Sequence, residues 1–145
     1  AGTALALSER FREAKLYTAE PEGLDDTARS LAVGTRQTND PSARSICDAI
    51  VTPSPGLLTF PIVQSKAAGG KVVTDEEALS AMKTAWDYFK LTVEPGGAVA
   101  LAAALKQEVI DRHTGDKRKT VVAILSGGNC DQAIFAQALA APALI

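Results

Sequence analysis

Three groups of residues in this chain carry chemical interest. Ser126-Gly127-Gly128-Asn129 follows an apolar run. Its glycines permit a close backbone approach that side chains would block, and its hydroxyl and amide offer donors and acceptors beside it. The stretch reads either as a strand-to-helix turn in which Ser126 or Asn129 satisfies local backbone, or as the wall of a ligand site. It matches neither GxGxxG nor a P-loop. Glu94-Pro95-Gly96-Gly97 sets a carboxylate at the start of an Ala-rich segment. Capping accounts for it, because a helix amino end favours negative charge. A ligand-facing role is the competing account, because an acid directed into an apolar interior needs a partner. Glu20, Asp25 and Asp26 supply hard oxygen donors suited to Mg or Ca, with helix capping by Asp25 or Asp26 the competing account. His113 lies in loop composition and reads as solvated, Cys130 reads as a small apolar residue, and no lysine has the setting of a buried nucleophile.

The elements that must hold these groups follow from periodicity. Ala4, Leu7, Phe11 and Ala14 predict a helix over 3–14, and Leu16 to Ala19 a short strand closed by Pro21 and Gly23. A second helix is expected from Asp26 to Val33, then a polar loop from Arg36 to Ser45. Ala49 to Thr52 reads as a brief strand, Leu57 to Ala68 as a helix despite Pro61, and Lys71 to Val73 as extended. Thr74 with Glu77 forms a capping box. The stripe Ala78, Leu79, Met82, Ala85, Trp86 and Phe89 then predicts a helix that covers a sheet, with Glu76, Lys83, Asp87 and Lys90 in solvent. Pro95 starts a helix whose Ala98–Leu105 turns have no polar face, so it must be buried on several sides. After a charged loop at 111–119, Thr120 to Leu125 has the unbroken β-branched and aliphatic character of a central parallel strand. A tight turn at 126–129 and a helix from Asp131 to Ala140 complete the chain. The alternation implies an α/β fold, a parallel sheet layered with helices.

Composition narrows the function classes. At 145 residues the chain is a single region, with 46% hydrophobic and 22% charged residues, ordinary globular material. Fifteen Lys and Arg against 17 Asp and Glu leave a net charge of −2, too little positive field for nucleic acid. Glu94 and Lys106 bracket the longest apolar run, which falls short of the ~20 residues a membrane helix needs. Cys47 and Cys130 show neither CxxC spacing nor a disulfide framework, which suits a reducing, cytoplasmic setting.

Ser126-Gly127-Gly128-Asn129 after Val121–Leu125, with Glu94-Pro95-Gly96-Gly97-Ala98 about one helix earlier, resembles the fold-type II pyridoxal-phosphate enzymes. The resemblance is greatest to threonine/serine dehydratases and serine racemase, and it runs along nearly the whole chain. Tyr17-Thr18-Ala19-Glu20-Pro21 and Thr59-Phe60-Pro61-Ile62 resemble further family segments, and Ala1-Gly2-Thr3-Ala4 is similar to the end of the family's phosphate loop. The resemblance implies the carboxyl-terminal half of the large cofactor-binding domain, with the Schiff-base lysine and phosphate loop upstream, so no catalytic residue is assigned here and this part alone is expected to be inactive. It implies that Ser126 bonds the pyridine nitrogen of pyridoxal 5'-phosphate, and that Glu94, Gly127, Asn129 and Ala49 line the cofactor. It implies that Glu20, the Leu24 carbonyl and Asp26 form the divalent site some members carry. The implied reaction is dehydration and deamination of L-threonine or L-serine to a 2-oxo acid and ammonia by a homodimer. The alternatives are 3-hydroxyaspartate dehydration, serine racemisation, or a non-catalytic small-molecule-binding domain.

Overall fold

The computed structural model describes residues 1–106 and 120–145. The 111–119 loop and His113 lie outside them. Strands β1 (Leu16–Pro21) and β2 (Ala67–Val73) pair in parallel, with Thr18 opposite Gly70 and Pro21 opposite Val73. Parallel pairing requires a crossover, and helix α2 (Asp26–Val33) lies within it and packs on both strands. The contact is close at Gly70, where a Cβ would stand 2.6 Å from the Ala28 Cα. Any side chain at Gly70 would push α2 off the sheet.

Helix α1 (Gly2–Arg10) ends a turn before the expected Ala14. Phe11, which the periodicity would bury, is 63% exposed, so no packing holds the last turn. The predicted strand at 49–52 is instead a 3-10 turn, Asp48–Ile50, closed by the Ile50 N–H to the Cys47 carbonyl. The helix expected over 57–68 is confined to α3 (Phe60–Lys66), with Pro61 tolerated in its first turn; β2 then starts at Ala67, four residues before the expected extended piece. At β2 the long-range pairing with β1 overrides the local helical pattern.

The capping box is present: Thr74 Oγ1 accepts the Glu77 N–H at 3.2 Å and Glu77 Oε2 accepts the Thr74 N–H at 2.8 Å. It starts α4 (Asp75–Thr84), which runs into a π-turn over Ala85–Phe89 and stops at Lys90 in a left-handed conformation, φ 58°. Helix α4 does not cover the sheet as expected. Its fully buried face, Ala78, Ala81 and Met82, packs mainly on helices α5 (Pro95–Leu105) and α6 (Gln132–Ala140). Trp86 and Phe89 lie at the edge of that contact, half exposed. Helix α5 meets α4 on one side and both strands on another, which explains why it has no polar face.

Thr120–Leu125 is not a central strand among the described residues. The sheet has two strands, and Val122 and Ile124 are 81% and 60% exposed. A strand needs a neighbouring backbone, and none of the described residues offers one here. Nor does Ser126–Asn129 form a tight turn. It crosses the amino end of α5, held by the Glu94 N–H to the Gly127 carbonyl at 3.0 Å. Among the described residues no helix is long and apolar enough to cross a membrane.

Candidate functional site

Three distant stretches meet at the amino end of α5. Pro95 opens the helix, and the Glu94 carbonyl accepts the Ala98 N–H at 3.1 Å. The Ser126–Asn129 backbone lies against this turn so closely that a Cβ on Gly97 would sit 2.8 Å from both N and O of Gly127. A Cβ on Gly127 would run into the Glu94 carboxylate. On the other side Ala49 approaches, its Cβ 3.6 Å from where a Gly96 Cβ would stand. Glu94, Gly127 and Ala49 are thus brought together, with Ser126 and Asn129 on the same short segment.

Of the local explanations open at the sequence level, one holds in part and one fails. Glu94 is the N-cap residue of α5, where the helix dipole favours its charge, but its half-buried side chain makes no capping hydrogen bond. Ser126 and Asn129 are exposed, and neither side chain bonds the backbone of a described residue. The Cys130 thiol is pushed up by burial, then by the charges of Asp131 and Glu94, so it stays protonated. Cys47, fully buried, is raised to about 11, first by burial. Cavities of about 620 Å³ beside Lys71 and Lys106 and about 670 Å³ under the 38–53 loop lie elsewhere; Ser126 lines neither.

The acidic group after β1 is differently built. Glu20 Oε1 and Oε2 accept the N–H groups of Thr27 and Ala28 at 3.0 and 2.7 Å, so a strand residue caps α2, a role expected of Asp25 or Asp26. Asp25 instead pairs with Arg29 at 3.2 Å. Asp26 is 2% exposed; its Oδ1 accepts from Asn39 Nδ2 at 2.7 Å while Oδ2 has no partner. Burial raises the Glu20 carboxyl above its ordinary range, helped by the Asp26 charge. Sequence reasoning missed Asn39, which also donates to the Thr52 carbonyl at 2.8 Å and accepts from Arg29. An Asn in a polar loop carries no local signal of such a role. Among the described residues no three His, Cys, Asp or Glu side chains gather as a metal site.

A family model described as pyridoxal-phosphate dependent enzyme matches residues 1–127. The chain belongs to that family. Serine racemase of Dictyostelium discoideum is 40% identical over 131 residues, which cover 90% of this chain and 39% of that protein. The beta-hydroxyaspartate dehydratase of Paracoccus denitrificans (strain Pd 1222) is 33% identical over 130 residues, 90% of this chain and 39% of that one. The crystal structure of a threonine deaminase from T.th. superposes with a TM-score of 0.80 at 33% identity, covering 90% of this chain and 42% of that one. The chain therefore spans about two fifths of the length of the relatives it matches. Its α/β architecture is that of the fold-type II pyridoxal-phosphate enzymes, and the family's cofactor is pyridoxal 5'-phosphate.

Proposed function

We propose that this chain is the carboxyl-terminal part of the cofactor-binding domain of a pyridoxal-phosphate enzyme that dehydrates and deaminates L-threonine or L-serine to a 2-oxo acid and ammonia. One observation carries the reading: at the amino end of α5 the half-buried Glu94 carboxylate lies against the segment that bears the exposed Ser126 hydroxyl, and neither side chain is hydrogen-bonded to the backbone of a described residue. The residues fit the cofactor in their chemistry, an exposed hydroxyl and amide and a half-buried carboxylate gathered where Gly97 and Gly127 let two backbone stretches approach closely.

The cofactor, when bound, supplies an electron sink for charge developing at the substrate α-carbon. Ser126 would bond the pyridine nitrogen. A neutral hydroxyl does not hold a proton on that nitrogen as a carboxylate would, so the arrangement favours expulsion of a β-substituent over reactions that need a stronger sink. Glu94 and Asn129 would orient the cofactor's polar edge, and the backbone of Gly127 and Ala49 would pack beside the ring. Of the three groups, the Leu24 carbonyl and Asp26 would hold Mg or Ca, a reading supported by the orphaned, buried Asp26 Oδ2, while both Glu20 oxygens are taken by the N–H groups that open α2. The protein would act as a cytoplasmic homodimer, in keeping with two free cysteines.

Serine racemisation is the second reading, favoured by the 40% identity to a serine racemase, and 3-hydroxyaspartate dehydration the third. The test is product analysis on the full-length protein with pyridoxal 5'-phosphate and L-threonine, L-serine or 3-hydroxyaspartate. Ammonia and the 2-oxo acid from threonine and serine are expected. D-serine as the sole product favours the racemase, and a protein that takes up no cofactor removes all three.

A further inference from the structure

The segment that carries Ser126 is held at Gly127 by the Glu94 N–H, and from Gly127 it runs through Asn129 to Asp131, the cap of α6. The seat of α6 therefore bears on Ser126 through the Gly127–Asn129 backbone. Helix α6 is short; one feature fixes its start and two seat it on α4 and the π-turn. Asp131 caps its amino end, Oδ1 accepting the Ala133 and Ile134 N–H groups at 2.8 and 3.3 Å. Phe135 meets Trp86 edge-on at 5.6 Å, and Ala138 is fully buried. The tail beyond the helix is then pinned back onto α4 and its π-turn: the Leu144 N–H donates to Thr84 Oγ1 at 2.9 Å, and Tyr88 Oη donates to the Ile145 carbonyl at 2.8 Å.

Thr84 is the unusual member. It is a fully buried hydroxyl on a helix whose buried face is otherwise mostly Ala and Met. Its Oγ1 also donates to the Ser80 carbonyl at 2.8 Å, so the proton is committed and a lone pair is aimed at the tail. Valine would fill the same space without a buried polar atom, so the hydroxyl is explained by the Leu144 bond.

We propose that Thr84 is a positioning residue for the cofactor: by clamping the tail at Leu144 it seats α6 and so holds the Ser126–Asn129 segment against the amino end of α5. The proposal rests on the reading of Ser126 given above.

The test uses the full-length protein and three readouts: pyridoxal 5'-phosphate affinity by fluorescence titration, the absorption and fluorescence of the cofactor at saturation, and thermal stability. Thr84→Val is expected to weaken cofactor affinity about fivefold, the size of one net hydrogen bond, and to shift the cofactor spectrum in the direction that Ser126→Ala shifts it. Thr84→Ser restores both. Leu144→Pro removes the donor together with a side chain that packs on the core, so Leu144→Ala, which loses the side chain and keeps the N–H, is its control; the proline variant reproduces the Thr84→Val result where the alanine variant does not, and decides the matter if Thr84→Val does not fold. A drop in melting temperature with affinity and spectrum unchanged, while Ser126→Ala changes them, overturns the role of Thr84 alone. An unchanged Ser126→Ala overturns the function reading and this proposal with it.

Discussion

Glu20 and Asp26 are both acidic and both near the start of α2, yet their surroundings assign them separate tasks. Both Glu20 oxygens are already engaged by helix N–H groups, and Asp26 has one oxygen to spare. Glu20→Gln is therefore expected to destabilise the full-length protein by about 1 kcal/mol whether or not a divalent cation is present, because a charged cap of orphan donors is weakened. Asp26→Asn keeps the volume and the bond from Asn39, so its effect should depend on cation. Mg or Ca should raise the melting temperature of the parent protein but not of Asp26→Asn, by an amount equivalent to ~2.7 kcal/mol at a hundredfold excess over Kd. Thermal melts with and without chelator check this, and equal cation responses in the two proteins remove the metal site. The acidic cluster was legible in the sequence, since four carboxylates lie within seven positions. Which of them caps and which is orphaned was not, because that depends on a strand residue reaching back over a helix and on Asn39 arriving from a distant loop.

Between elements, the tightest fit is α2 on β2. Gly70→Ala would place a methyl within 2.6 Å of the Ala28 Cα and 3.1 Å of Thr18 Oγ1, both fixed by regular structure. Overpacking of this kind costs ~1–3 kcal/mol, and the expected outcome is a lower melting temperature with the denaturant m-value unchanged. A neutral result would mean that α2 yields easily and that the sheet contact is loose. This constraint was invisible in the sequence, where Gly69-Gly70 looks like an ordinary breaker just after a stretch taken as helix. What could be read were features whose causes are local: the bounds of α2, the Thr74–Glu77 box, and α5 as a helix without a polar face. The π-turn at Ala85–Phe89 and the exposure of Phe89 were not legible, because a strict 3.6-residue period extrapolates a stripe past the point where the partner helix ends.

For the whole molecule, the sharpest mismatch is between composition and surroundings at 120–125. Thr-Val-Val-Ala-Ile-Leu has the character of a strand covered on both faces, yet Val121, Val122 and Ile124 are exposed by 47%, 81% and 60% and pair with no described backbone. Burying each such side chain contributes ~1.5–3 kcal/mol, and an unpaired apolar edge invites aggregation, so a protein that leaves this stretch bare would forgo stability and risk association. The chain also spans about two fifths of its relatives. Both facts fit the proposal that the remainder of a larger domain closes over this segment and completes the sheet beside Ser126. Amide hydrogen exchange on the full-length, cofactor-loaded protein tests it directly. Residues 121–125 should exchange only through near-global opening, as central strands do, and more slowly than the exposed tip of the 38–53 loop. Exchange at unprotected rates would mean that the stretch is surface in the intact protein. The Ser126 hydroxyl would then sit at the end of a loose strap, unable to hold a ring nitrogen in register, and the proposal that residues 1–145 form part of a larger cofactor-binding domain would fall with it.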